Sequence, residues 1–246
     1  MKVAVITPYF NEPPEMIRRA HDSVLAQTHP CVHVLVADGE RRAEIDGWEA
    51  RHMAAAGPHR DFGNTARGLG AISALNLGAE AVAFLDADNW YAPDHIESLV
   101  DVCQEHSAQV AFSDRTVTLV GGTVLEKDDV TMRKHRYVDT NCFFITDKAA
   151  FLLPLWAMID PAIAEAGDRF MYWIVRTRGV PYAFSNRPTL FYESRWPNHY
   201  LRLGLEPPPD AHVIPWPEVR TRYNHDRLSR RLGFPAPRLS GGDPVE

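Results

Sequence analysis

The chain has 246 residues, 45% of them hydrophobic and 24% charged, the proportions of an ordinary globular protein with apolar mass for a substantial core. Its net charge of −6 excludes a general nucleic-acid binder, whose phosphate contacts need a basic surface. Three widely spaced cysteines, Cys31, Cys103 and Cys142, form neither a CxxC pair nor a disulfide framework and suit a reducing compartment. The opening apolar run to Thr7 is too short for a signal peptide, and no segment has bilayer-spanning length, so a cytoplasmic protein is expected.

Lys2-Val-Ala-Val-Ile-Thr7 predicts a buried strand halted by Pro8, and the spacing of Ile17, Ala20, Val24 and Leu25 predicts a helix from Pro14 to Gln27. A second strand, Cys31 to Ala37, ends at Asp38-Gly39, giving a βαβ unit of a parallel sheet. Residues 40–62 read as a short helix and loop, and Asn64 to Glu80 as a helix. The run Ala81-Val-Ala-Phe-Leu then stops at two carboxylates, Asp86 and Asp88, with a helix starting near Asp94. Strands or hairpins are expected at Ala108–Ser113, Thr116–Val120, Thr123–Leu125, Thr140–Thr146, Tyr182–Phe184 and Thr189–Tyr192. Short helices are expected at Lys148–Leu153 and Arg169–Arg178, and Lys127–Arg136 reads as a charged, mobile loop. A compact domain over 1–203, split near residue 100 into two halves, is expected to precede a proline-rich tail over 204–246. One basic helix is expected there from Trp216 to Leu232, either a solvated face or an interface for an anionic partner.

In an open α/β sheet, ligands bind beyond the carboxyl ends of the strands, so Thr7, Asp38, Arg67, Asp86 and Asp88 fall near one edge. Carboxylates there suit a hard divalent cation able to hold a diphosphate. An isolated Asp-x-Asp is equally an acidic turn, Asp38 a turn former before Gly39, and Arg67 a surface charge. Gly68-Leu-Gly70-Ala-Ile-Ser73 approaches a dinucleotide-binding fingerprint but lacks the preceding strand and the last glycine.

The ordered set of motifs resembles family 2 glycosyltransferases of the GT-A fold over roughly residues 2–200. The resemblance rests on Val3 to Glu12, Ser23-Val-Leu-Ala-Gln-Thr-His-Pro30, Val34-Leu-Val-Ala-Asp38-Gly39, Thr65-Ala-Arg67-Gly-Leu-Gly70, Phe84-Leu-Asp86-Ala-Asp88-Asn-Trp-Tyr-Ala-Pro-Asp94 and Gly167-Asp168. Gly68 stands where that family usually has asparagine, and Gly167 where many members have glutamate; the Gly-Asp pair is similar to that of the spore-coat polysaccharide nucleotide-sugar transferase branch. Tyr192-Glu-Ser-Arg195-Trp196 lacks the glutamine of the processive branch.

The resemblance implies an α/β fold: a single Rossmann-like domain with a mostly parallel central sheet flanked by helices, and a smaller acceptor-side sheet. It implies transfer of one sugar, with inversion, from a nucleotide-diphosphate donor (UDP-linked) to a saccharide or other hydroxyl acceptor. Asp88 would ligate Mn²⁺ or Mg²⁺, joined by His199. Asp86 would face the ribose or bind the cation through water. Thr7, Pro8, Tyr9, Glu12, Asp38 and Arg67 would surround the nucleotide, and Asp168 would be the general base, unless it only caps its helix. A sugar-nucleotide nucleotidyltransferase, or a non-catalytic binding module on the same fold, is the alternative. The oligomeric state is left open.

Overall fold

The computed structural model describes residues 1–127, 137–213 and 216–238. Its first half is built from β1 (Val3–Tyr9), α1 (Pro14–Leu25), β2 (Cys31–Ala37), β3 (Arg51–Ala54), α2 (Asn64–Asn76), β4 (Ala81–Phe84), β5 (Trp90–Tyr91) and α3 (His95–Glu105). The second half contributes β6 (Val110–Leu119), β7 (Val124–Lys127), β8 (Phe143–Thr146), α4 (Gly167–Thr177), β9 (Tyr182–Ser194) and α5 (Pro197–Leu201). Two helices follow, α6 (Trp216–Arg222) and α7 (His225–Leu232).

The strands form one nine-stranded sheet in the order β3-β2-β1-β4-β8-β6-β9-β5, with β7 on β6. Strands β3, β2, β1 and β4 run parallel, while β8 pairs antiparallel with both β4 and β6. The strands expected to form a smaller acceptor-side sheet therefore extend the same sheet. All seven residues of β1 and all four of β4 are buried, as continuous apolar strands covered on both faces must be. Pro8 does not end β1, which continues to Tyr9. By strand alternation its missing N–H falls on the side where β4 has already ended at Phe84, so no ladder bond is lost.

Other boundaries shift for identifiable reasons. The strands read separately around Ser113 are one strand, β6, whose register with β9 slips at Asp114; the irregularity broke the alternation. The segments at Tyr182 and Thr189 likewise merge into β9. A 3-10 turn, Ala43–Gly47, fills part of 40–62, but β3 was not legible, because this edge strand has no fully buried residue. The charged run after Lys127 lies outside the described residues.

The basic segment at the end is two helices rather than one. Asn224 breaks it, leaving helical geometry and capping α7 by accepting from Arg227 N at 2.8 Å. Both helices join the main core: Val219 and Leu228 are completely buried, and Ala236 nearly so, in the same apolar cluster as β1, β4 and β8.

Candidate functional site

The parallel half of the sheet delivers its strand ends to one rim. The chain leaves β4 at Leu85, whose N–H donates to Ile6 O of β1 at 3.0 Å, and then turns, with Asn89 N donating to Asp86 O at 3.0 Å. That turn points Asp86 away from the apolar strand and leaves its side chain partly exposed, while Ala87 packs inward.

Asp86 is held from both sides. Arg67, buried on α2, makes an ion pair with its Oδ1, and Asn141 Nδ2 donates to its Oδ2 at 2.9 Å while Asn141 Oδ1 accepts from Asp86 N. Arg67 also donates from Nη1 to Phe62 O at 2.7 Å and to Asn64 Oδ1 at 3.1 Å. It is thus a buried anchor, not a surface charge.

Asp88 sits among acids. Burial pushes its carboxyl up to about 8, assisted by the charges of Asp86, Glu12 and Glu193 and opposed by Arg195. Arg19 of α1 reaches across this loop, donating to Asp88 O at 2.5 Å and to Glu193 Oε2 at 2.8 Å, with its guanidinium over the Trp90 ring. Asn89 is buried and accepts from Glu193 N at 2.9 Å. The loop is therefore clamped between α1 and the end of β9. Its carboxylates remain crowded, an arrangement that favours a cation.

The residues of the first loop divide. Glu12 accepts from Phe10 N at 2.6 Å and acts electrostatically on Asp88. Thr7 is fully buried with its hydroxyl 2.8 Å from His33 Nε2, and Pro8 lies buried beneath Gly63. Tyr9 is only 2% exposed; its hydroxyl is 2.6 Å from His52 Nε2 and accepts from Arg42 N at 3.1 Å. Its ring belongs to a small core with Ile17, Leu35 and Ile45, so stacking on a base is not open to it in this arrangement. Asp38 is also buried, and its two oxygens accept from His59 N and Arg60 N, each at 3.1 Å, so it organises the 59–60 turn.

Asp168 lies in the first turn of α4, one residue inside the helix, and accepts from Arg169 N at 2.7 Å. Burial pushes its carboxyl up to about 6; Arg169 pulls it down and Asp139 pushes it up. Asp139 pairs with Arg115 at 2.5 Å and accepts from Asn141 Nδ2 at 2.7 Å. Asn141 is the residue that holds Asp86, so one buried polar chain runs from Arg115 through Asp139 and Asn141 to the Asp86 turn, within electrostatic reach of Asp168. The charge of Asp139 is what connects Asp168 to this chain; the hydrogen bond of Asp168 itself is to Arg169 N.

Arg115, Asp139, Asn141, Glu193 and Arg19 were not singled out from sequence. An arginine and an aspartate inside an apolar strand, as in Ala111-Phe-Ser-Asp114-Arg115, were the available signal. His199, on α5, is buried, with Nδ1 2.6 Å from Ser194 Oγ. Among the described residues, no three His, Cys, Asp or Glu side chains cluster as a ready metal site, so His199 is not gathered with Asp86 and Asp88.

The two glycines at the departures from the family pattern have steric causes. A Cβ on Gly68 would lie 2.9 Å from Ala157 N and Cβ, because α2 is pressed against the 3-10 segment Asp147–Met158. A Cβ on Gly167 would lie 2.8 Å from Asn64 Oδ1, the amide that also receives Arg67.

Comparison with known proteins agrees with this fold. Residues 4–164 match the family model described as glycosyl transferase family 2. Over 102 residues the chain is 32% identical to the succinoglycan biosynthesis protein ExoW of Rhizobium meliloti (strain 1021), a match covering 39% of this chain and 32% of that relative. The chain therefore spans about a third of that protein's length. Among solved structures, S. aureus TarS 1-349 in complex with UDP superposes with a TM-score of 0.60 at 12% identity, covering 94% of this chain and 70% of that one. The same TarS fragment in complex with UDP-GlcNAc gives 0.59 at 13% identity, with the same coverage. The shared architecture is the GT-A fold, a mixed α/β domain with a curled, mostly parallel central sheet.

Proposed function

As the chain belongs to glycosyl transferase family 2, we propose that it moves a single sugar, with inversion, from a UDP-linked donor to a hydroxyl of a saccharide acceptor. The observation that carries this reading is a crowded acidic turn tied by Asn141 to Asp139, whose charge reaches the half-buried carboxyl of Asp168. Support for the donor comes from the UDP and UDP-GlcNAc complexes of the TarS fragment. The name of ExoW supports a place in polysaccharide synthesis.

The donor set fits a divalent cation. The Asp88 carboxylate has no arginine partner of its own among the described residues, its neighbours Asp86 and Glu193 being taken by Arg67 and Arg19. It offers hard oxygen, as Mn²⁺ or Mg²⁺ requires, while few protein ligands leave room for diphosphate oxygens and water. Asp88 would hold the ion, and Asp86 would orient it through water or meet the ribose. When bound, the ion offsets the charge that grows on the departing UDP.

The protein's own groups do the rest. Arg67 and Asn141 fix Asp86, so the turn does not reorganise when the donor arrives. Glu12 and Asp38 would meet the nucleotide, and the buried Thr7, Pro8 and Tyr9 would shape the floor of its site. On the acceptor side, the Asp168 carboxylate accepts the hydroxyl proton as the acceptor oxygen bonds to the sugar carbon and the bond to UDP breaks. One base suffices for a single displacement, and the configuration at that carbon inverts.

A panel of nucleotide-sugars incubated with Mn²⁺ and short saccharides, read by UDP release and product mass, tests the reading. Asp168→Asn is expected to retain donor binding by thermal shift while losing about 10²-fold or more of the transfer rate. Equal turnover in that variant would remove Asp168 as the base.

A further inference from the structure

Away from the acidic turn, the two terminal helices enclose a second concavity of about 630 Å³, lined by Asp160, Pro161, Ala162, Arg222, Arg227 and Arg231. From Trp216 to Arg238 the sequence holds six arginines against two acids, a positive block in a chain of net charge −6. Three of those guanidinium groups line the cleft, facing a single carboxylate.

Arg227 is fixed by Asp160, donating from Nε to Oδ2 at 3.0 Å and from Nη2 to Oδ1 at 2.9 Å. Asp160 is itself buried and also accepts from Ala162 N at 3.0 Å, so its charge is fully used. Arg222 donates from Nε to Glu218 O at 3.4 Å, and Arg231 from Nη2 to Ala157 O at 3.3 Å. The remaining N–H groups of these three arginines meet no acceptor among the described residues. Arg222 and Arg231 are exposed, and neither has a carboxylate partner there.

Three guanidinium forks against one spent carboxylate leave a surplus of about two positive charges inside a concavity. Arginine forks match phosphate oxygens two at a time, and one of the three is already rigid. We propose that this cleft is a binding site for a phosphate-bearing ligand, separate from the donor site. The proposal does not depend on the transferase reading. The Asp160–Ala166 stretch runs directly into α4, so such a group would sit on the half of the molecule that carries Asp168.

The shared chemistry has two sources, a free polyphosphate or a lipid headgroup phosphate, and two arms separate them. Inorganic pyrophosphate is titrated calorimetrically into the whole chain at low salt without divalent cation. In parallel, the chain is sedimented with phosphatidylglycerol vesicles and with phosphatidylcholine vesicles. Both are repeated on Arg222→Ala/Arg231→Ala, exposed positions chosen so that the Arg227–Asp160 pair survives, and on Asp88→Asn as a control for the donor site.

Saturable pyrophosphate binding, weakened about tenfold or more in the double variant, reduced by salt and kept in Asp88→Asn, is the expected result for a free polyphosphate. Sedimentation with the anionic vesicles alone, lost in the double variant, is the expected result for a lipid phosphate. Equal behaviour of wild type and double variant in both arms, whether both bind or neither does, overturns the proposal. Loss of UDP binding in Asp88→Asn with pyrophosphate binding intact would separate the two sites.

Discussion

A carboxylate near the surface titrates around 4, and Asp168 is pushed up to about 6, first by burial and then by Asp139. A general base works only when ionised. The transfer rate is therefore expected to fall about tenfold per pH unit below about 6 and to level off above it. A rate profile whose acid limb survives unchanged in Asp168→Asn would assign that limb to another group. Asn141 is the next residue to probe, because it bonds both Asp86 and Asp139 from a fully enclosed position. Asn141→Ala strands both carboxylates. It should lower stability by about 1–3 kcal/mol in urea and raise the donor KM more than it lowers kcat. Asp86, Asp88, Asp38 and Asp168 were legible from sequence because each stands where an apolar run or helix begins or ends. The Arg115–Asp139–Asn141 chain was not: Arg115 meets a partner 24 residues away only once β6 and β8 are aligned in the sheet.

At the level of elements, the position of α2 decides whether Arg67 reaches Asp86. Helical spacing located this helix, but not how closely it lies against the 3-10 segment that follows β8. At Gly68 the approach is tight, with Ala157 backbone nitrogen 2.9 Å from an added Cβ. Backbone yields less readily than a side-chain tip. Despite the gain in helix propensity, Gly68→Ala should cost about 1–3 kcal/mol of unfolding free energy, measured by urea denaturation. A neutral or stabilising result would mean that α2 has slack. The same reasoning explains why β3 and the division of the tail helix escaped the sequence. One is an edge strand with no fully buried residue, and the other turns on a single capping asparagine. Strong apolar periodicity marked the elements around the core and was silent on those at its margin.

For the whole molecule, acid is the expected weakness. His21 and His33 face each other through Nδ1 atoms 2.8 Å apart, so one must donate and the other accept; two imidazolium rings would oppose N–H to N–H. Burial, then His21, pushes His33 down to about 3, and burial pushes His95 down to about 3 as well. Both stay neutral in the fold but gain protons near 6.5 when unfolded. Their stabilisation is complete above about 6.5 and is lost as pH falls towards 3, roughly 2 kcal/mol each by pH 5. Denaturant midpoints between pH 7.5 and 5 should decline accordingly, and His33→Asn should flatten part of the slope.

The order of strands across the sheet has a consequence for how the chain is made. β9, made after every other strand of this sheet, lies parallel to β6 along almost its whole length and also holds the short β5 from the first half. Until Ser194 has emerged, β6 keeps one flank unzipped and β5 has no neighbour. Synthesis halted at residue 164, where the family match ends, would release a chain with a raw edge, prone to stick to its own kind before it could close.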